Sequence, residues 1–168
     1  FYKIGGVFFI KAQALANNTV LCILSYLVIK NVRCAMPIFD THAHYDDSRF
    51  DADRDALLSA LPDAGVGLVL DPGCDIPSSQ AAAALSERYS HVYAAAGIHP
   101  EECSGFHEGE LDTLRELLSR PKVVAVGEIG LDHYWDTESD EVQRKWFIRQ
   151  LELAREVKKP VIIHSREA

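Results

Sequence analysis

Val123-Val124-Ala125-Val126-Gly127-Glu128 is a continuous apolar run that ends on a carboxylate set between glycines. A strand that is apolar at every position is buried on both faces, the pattern of a parallel sheet covered by helices. Four similar runs surround it. Ile38-Phe39 leads into Asp40-Thr41-His42-Ala43-His44, and Gly67-Leu68-Val69-Leu70 into Asp71-Pro72-Gly73. His91-Val92-Tyr93-Ala94-Ala95-Ala96 leads into Gly97-Ile98-His99-Pro100, and Pro160-Val161-Ile162-Ile163 into His164. Between them, residues 51–64, 77–89, 108–119 and 138–157 read as helices. The third carries Leu111, Leu114, Leu117 and Leu118 on one stripe, and the fourth an apolar face around Val142, Trp146, Leu153 and Val157. Strand and helix alternate at the repeat of roughly 30 residues that βα units require, so the class is α/β.

Position decides between an open sheet and a barrel. His42 and His44, His99, Glu128 and His164 each follow the last apolar residues of a strand. A (β/α)₈ barrel brings the C-terminal ends of its strands around one axis, whereas an open sheet spreads them along a line. The expectation is a TIM barrel. Such a barrel needs about 250 residues and eight strands. Five are read here, so residues 36–168 are expected to be its N-terminal part, cut within the loop after the fifth strand.

Residues 1–35 differ in composition. They hold Lys3, Lys11, Lys30 and Arg33 and no acid, whereas the remaining 133 residues carry 13 basic and 25 acidic side chains, a net −12. The single methionine is Met36. Such a break marks a boundary, and the segment reads as a leader or as sequence translated from upstream of Met36. Its apolar run, Val20 to Ile29, is too short to span a bilayer, which takes ~20 residues. No stable membrane association is expected. Cys22, Cys34, Cys74 and Cys103 show no C-x-x-C spacing, which fits a reducing, cytoplasmic location. The acidic body argues against a broad basic surface for duplex nucleic acid. It leaves a phosphate substrate open, because bound cations invert the local charge.

The chemistry follows from the residue types. His42 and His44 are two residues apart, and on a strand they point the same way and chelate one ion. Glu128 has two oxygens and can bridge two ions, with His164 on the second. Two divalent ions activate a water and stabilise attacking and leaving oxygens; imidazole with carboxylate suits zinc or manganese, and carboxylate with water admits magnesium. An unpaired carboxylate after Val-Val-Ala-Val is costly to bury, which marks Glu128 as the catalytic carboxylate. His99, Asp132 and Arg166 are candidates for contact with substrate.

Phe39-Asp40-Thr41-His42-Ala43-His44, Gly97-Ile98-His99-Pro100, Gly127-Glu128-Ile129-Gly130-Leu131-Asp132 and Pro160-Val161-Ile162-Ile163-His164-Ser165-Arg166 resemble, in order, the motifs of the TatD family of metal-dependent deoxyribonucleases. The resemblance implies a metal-dependent hydrolase barrel that cleaves phosphodiester bonds in DNA, often as a 3′–5′ exonuclease on single strands or ends. It assigns His42 and His44 to the first metal, Glu128 to the bridge and His164 to the second metal. The family also uses a histidine after strand six and an aspartate near strand eight. Both would fall beyond Ala168, so the chain as it stands is expected to be inactive. The alternatives are a relative acting on an ester or amide bond, such as an aminoacyl-tRNA deacylase, and a non-enzymatic truncated product.

Overall fold

The computed structural model describes residues 2–4, 7–9, 37–135 and 137–168. Strands β1 (Tyr2–Ile4) and β2 (Val7–Phe9) form an antiparallel pair, and β2 joins the next strand through Phe9 opposite Phe39. Apart from these two strands, the leader expected over residues 1–35 lies outside the described residues, as do Cys22 and Cys34.

The other strands are β3 (Ile38–Asp40), β4 (Val66–Pro72), β5 (Val92–Ala96), β6 (Val123–Asp132) and β7 (Val161–Arg166). They run parallel and lie side by side in strict chain order. Helices α1 (Arg54–Ala60), α2 (Ile76–Arg88), α3 (Glu110–Leu118) and α4 (Asp140–Val157) make the four crossovers. A doubly wound sheet reverses its strand order at a switch point. This one never does, and it curls as a half-barrel with helices outside, as the strand ends foretold.

The helices start where local chemistry dictates. Asp75 and Ser78 close a reciprocal cap at the head of α2, and the Ser139 hydroxyl accepts the Val142 N–H at 3.3 Å at the head of α4. The apolar faces of α2, α3 and α4 meet β5 and β6 around Leu114, Val126, Ile129 and Trp146, and Phe106 stands edge-to-face on Trp146 at 4.6 Å. A second cluster, Leu58, Val69, Leu85 and Val92, lies under α1. Among the described residues no helix is long and apolar enough to cross a membrane.

Two expectations need correction. The helix read over 51–64 is only Arg54–Ala60, preceded by a 3₁₀ turn at Ser48–Phe50. The strand read as ending at Gly127-Glu128 continues to Asp132. Its pairing with β7 steps from Val126↔Val161 to Ile129↔Ile163, three residues against two. This bulge falls at Gly127, and a second glycine, Gly130, has φ +151 with its α-carbon pressed against β7. A Cβ at Gly130 would lie 1.9 Å from the His164 carbonyl oxygen, so only glycine lets β6 continue here.

Candidate metal centre

The histidine pair is built by a turn rather than by the strand pleat. Strand β3 ends at Asp40, the His42 N–H reaches Asp40 Oδ1 at 3.3 Å, and the Ala43 N–H bonds the Leu70 carbonyl at 3.1 Å. Arg54, at the start of α1, then pins the following loop. It donates to the carbonyls of Tyr45, Asp46 and Asp47 at 2.5, 3.0 and 2.7 Å. The result brings His42 Nε2 and His44 Nε2 to 3.1 Å.

Glu128 enters from the β6 bulge. Its N–H donates to the Gly73 carbonyl at 2.9 Å, across the end of β5. That reach is possible because Gly97 lies between them; a Cβ there would meet the Gly127 backbone at 2.9 Å. The side chain is 11% exposed and its two oxygens face different partners. Oε2 is 3.2 Å from His42 Nε2 and 4.0 Å from His44 Nε2, and Oε1 is 3.2 Å from His164 Nδ1. Donors ~2.1 Å from a tetrahedral ion stand ~3.4 Å apart. The triangle of His42, His44 and Glu128 has that size, and His164, with His99 close by, stands at the other oxygen.

The electrostatics suit a cation. Burial raises the Glu128 carboxyl, yet the hydrogen bonds of His164 and His42 outweigh it and hold the group ionised. Burial, then the neighbouring charge of His42, lowers His44. Burial, then the charge of His164, brings His99 down to about 4. Both rings are thus neutral at pH 7. His99 Nδ1 accepts the Glu101 N–H at 3.3 Å, which puts its ring proton on Nε2.

His164 lies inside β7, not past its end, with His99 edge-on at 4.2 Å between centroids. Its Nε2 is 2.8 Å from Asp132 Oδ2. The Glu128 hydrogen bond, against burial and with help from Asp132, raises His164. Burial raises Asp132, but the N–H of Trp135, His164 and the N–H of Tyr134 bring it below its ordinary value. An ionised carboxylate faces each ring nitrogen, and carboxylates only accept. Without a cation both nitrogens must carry protons; a cation held beside Glu128 would take the place of the one on Nδ1.

The residues singled out from sequence therefore gather at one end of the half-barrel. Asp132 is fully buried behind His164. The Arg166 guanidinium stacks over the Tyr134 ring at 4.0 Å and the Trp135 ring at 5.4 Å. Gln143 and Gln150 went unrecognised in the sequence. Gln150 accepts the Ile98 N–H at 2.7 Å and donates to its carbonyl at 3.0 Å, fixing the residue before His99. Gln143 does the same for Asp132 at 2.8 and 2.9 Å. Both are buried and seven apart on α4, so two glutamines on one apolar helix face were the signal. A cleft of about 360 Å³ opens beside His44, lined by Arg49, Cys74, Ser78 and Glu102 among others.

A family model described as TatD related DNase matches residues 39–168. The uncharacterized metal-dependent hydrolase YabD of Bacillus subtilis is 37% identical over 131 residues, covering 78% of this chain and 51% of that protein. The protein named 3′-5′ ssDNA/RNA exonuclease TatD of Escherichia coli is 35% identical over 131 residues, covering 78% and 50%. The crystal structure of YjjV, a TatD homologue from Escherichia coli, matches with a TM-score of 0.70 at 40% identity, over 76% of this chain and 50% of that one. The chain spans about half the length of the curated relatives it matches. Agreement of this extent in both sequence and fold has one meaning: the chain belongs to the TatD family of metal-dependent hydrolases.

Proposed function

We propose that this chain carries the N-terminal part of a nuclease centre that hydrolyses phosphodiester bonds in single-stranded DNA from its 3′ end. The observation that carries this reading is the division of Glu128, one oxygen toward His42 and His44 and the other toward His164. Two divalent ions, zinc, manganese or magnesium, would polarise the phosphoryl group and lower the pKa of a bound water. His42 and His44 hold one side of that centre, His164 the other, and Glu128 joins them. The neutral His99 offers its Nε2–H to a phosphoryl oxygen. Asp132 orients His164 from behind, and Arg166 supplies positive charge at the rim. The name of the Escherichia coli relative supports a single-stranded substrate and the 3′–5′ direction. The free thiols Cys74 and Cys103 support a cytoplasmic location.

The test is digestion of a 5′-labelled single strand by the full-length protein with Mn²⁺ or Mg²⁺, beside Glu128→Ala. Shortening from the 3′ end and a loss of about a thousandfold or more in the variant are expected, the size of losing a major electrostatic element. Equal activity in both proteins would refute the site. Turnover of esters or amides without nuclease activity would refute the substrate.

A further inference from the structure

Tyr134 and Trp135 leave the C-terminal end of β6 beside the metal centre, 48% and 45% exposed. Large rings left half in water forgo apolar burial unless something covers them. We propose that these two rings, with the Arg166 guanidinium, are a stacking subsite for nucleobases of the strand held at the metal centre. The proposal rests on the nuclease reading above and adds how the strand is gripped.

Three observations carry it. First, the rings stand at 89° with centroids 4.7 Å apart, and with each residue about half exposed the pair leaves aromatic surface open to solvent beside Arg166. Every base has a π face, and stacking on aromatic side chains binds single strands with little regard to sequence. Second, the platform is fastened to the metal centre. Asp132 Oδ1 accepts the N–H groups of Tyr134 and Trp135 at 2.9 and 3.1 Å, while Oδ2 meets His164 at 2.8 Å. A base on the rings is thereby held at a set distance from a phosphodiester at Glu128. Third, Arg166 makes no ion pair among the described residues, whereas Arg49, Arg88, Arg115 and Arg149 each pair with a carboxylate. Its carbonyl takes the His133 N–H at 2.9 Å, which holds it beside the rings. A cation with no carboxylate in direct contact, in a body of net −12, suits a backbone phosphate between stacked bases.

The experiment compares two substrates of the full-length protein with Mn²⁺: a single-stranded oligonucleotide, and bis(p-nitrophenyl) phosphate, a phosphodiester without bases. Trp135→Ala and Tyr134→Ala are each expected to raise the KM for the oligonucleotide roughly tenfold, the usual worth of one base–aromatic stack. Turnover of the small diester stays within about twofold, and Trp135→Phe restores most of the oligonucleotide affinity. If the wild type digests the oligonucleotide and Trp135→Ala does so with the same KM, the subsite is refuted and the nuclease reading stands. Equal losses on both substrates make the rings structural and also refute the subsite. If the wild type digests no oligonucleotide, both readings fall.

Discussion

Asp132 Oδ2 lies 2.8 Å from His164 Nε2, so a fully buried carboxylate decides which nitrogen of that ring turns toward Glu128. An ionised acceptor keeps the proton on Nε2 and leaves Nδ1 for a cation. In Asp132→Asn the amide oxygen would still take the N–H groups of Tyr134 and Trp135. The amide nitrogen would then face Nε2 and drive the ring proton to Nδ1, the wrong side. The expected outcome is a fold unchanged by circular dichroism and a Mn²⁺ affinity lower by roughly 10- to 100-fold in calorimetric titration, typical of losing such a partner. An unchanged affinity would show that His164 does not bind metal through Nδ1.

Gln150 holds the peptide of Ile98 by both its N–H and its carbonyl in a site with no exposure. Gln150→Leu keeps the volume and strands both groups away from water. Each buried unsatisfied group costs about 1–3 kcal/mol, so the variant should lose roughly 2–4 kcal/mol in urea unfolding. His99 follows Ile98 directly, so turnover should fall as well. A loss below half a kcal/mol would mean that another group satisfies Ile98.

The barrel was legible because its strands open on apolar runs and the polar residues that follow stand out. Val-Ile-Ile before His164 and Val-Val-Ala-Val before Glu128 could hardly be read otherwise. What misled the reading was glycine. Gly127 looked like a strand terminator, but here it makes the bulge that aims Glu128 inward, while β6 runs on to Asp132. His42 and His44 are neighbours, as alternation predicts, but through a turn rather than a pleat, since the strand ends two residues before His42. Asp132 was singled out, but its place behind His164 depends on a contact 32 residues away in sequence, which no local pattern encodes. Gln143 and Gln150 were hidden for a different reason. A helix read for its apolar stripe gives no weight to polar residues on that stripe.

Arg54 is the only described side chain that binds the carbonyls of Tyr45, Asp46 and Asp47 together, and that loop directly follows His44. Its planar fork meets three oxygens at once, which the point charge of lysine cannot do. Arg54→Lys should leave α1 intact and loosen the loop. The affinity for the first Mn²⁺ should fall roughly tenfold, the lower end for losing outer support of a ligand. Measured by titration, an affinity equal to wild type would show that the turn after β3 is held by its own backbone bonds.

Asp71 gives the fold a pH signature. It is fully buried at the end of β4, and burial, then the Asp46 carboxyl facing it, raises it to about 9. Asp46 is itself raised, chiefly by burial. At neutral pH folded Asp71 is therefore protonated, whereas in the unfolded chain a carboxyl ionises near 3.9, the usual aspartate value. Between those two values the native state binds one proton more than the unfolded state, so stability falls as pH rises through the window. Asp71→Asn supplies the same oxygen acceptor and a permanent donor, with no proton to hold. In EDTA, urea unfolding of the wild type from pH 5 to 8 should show a downward slope that is shallower in the variant by about 1.4 kcal/mol per pH unit, the worth of one proton. The two curves should diverge steadily toward pH 8 with the variant above. Parallel curves would mean that folded Asp71 holds no proton that the unfolded chain lacks.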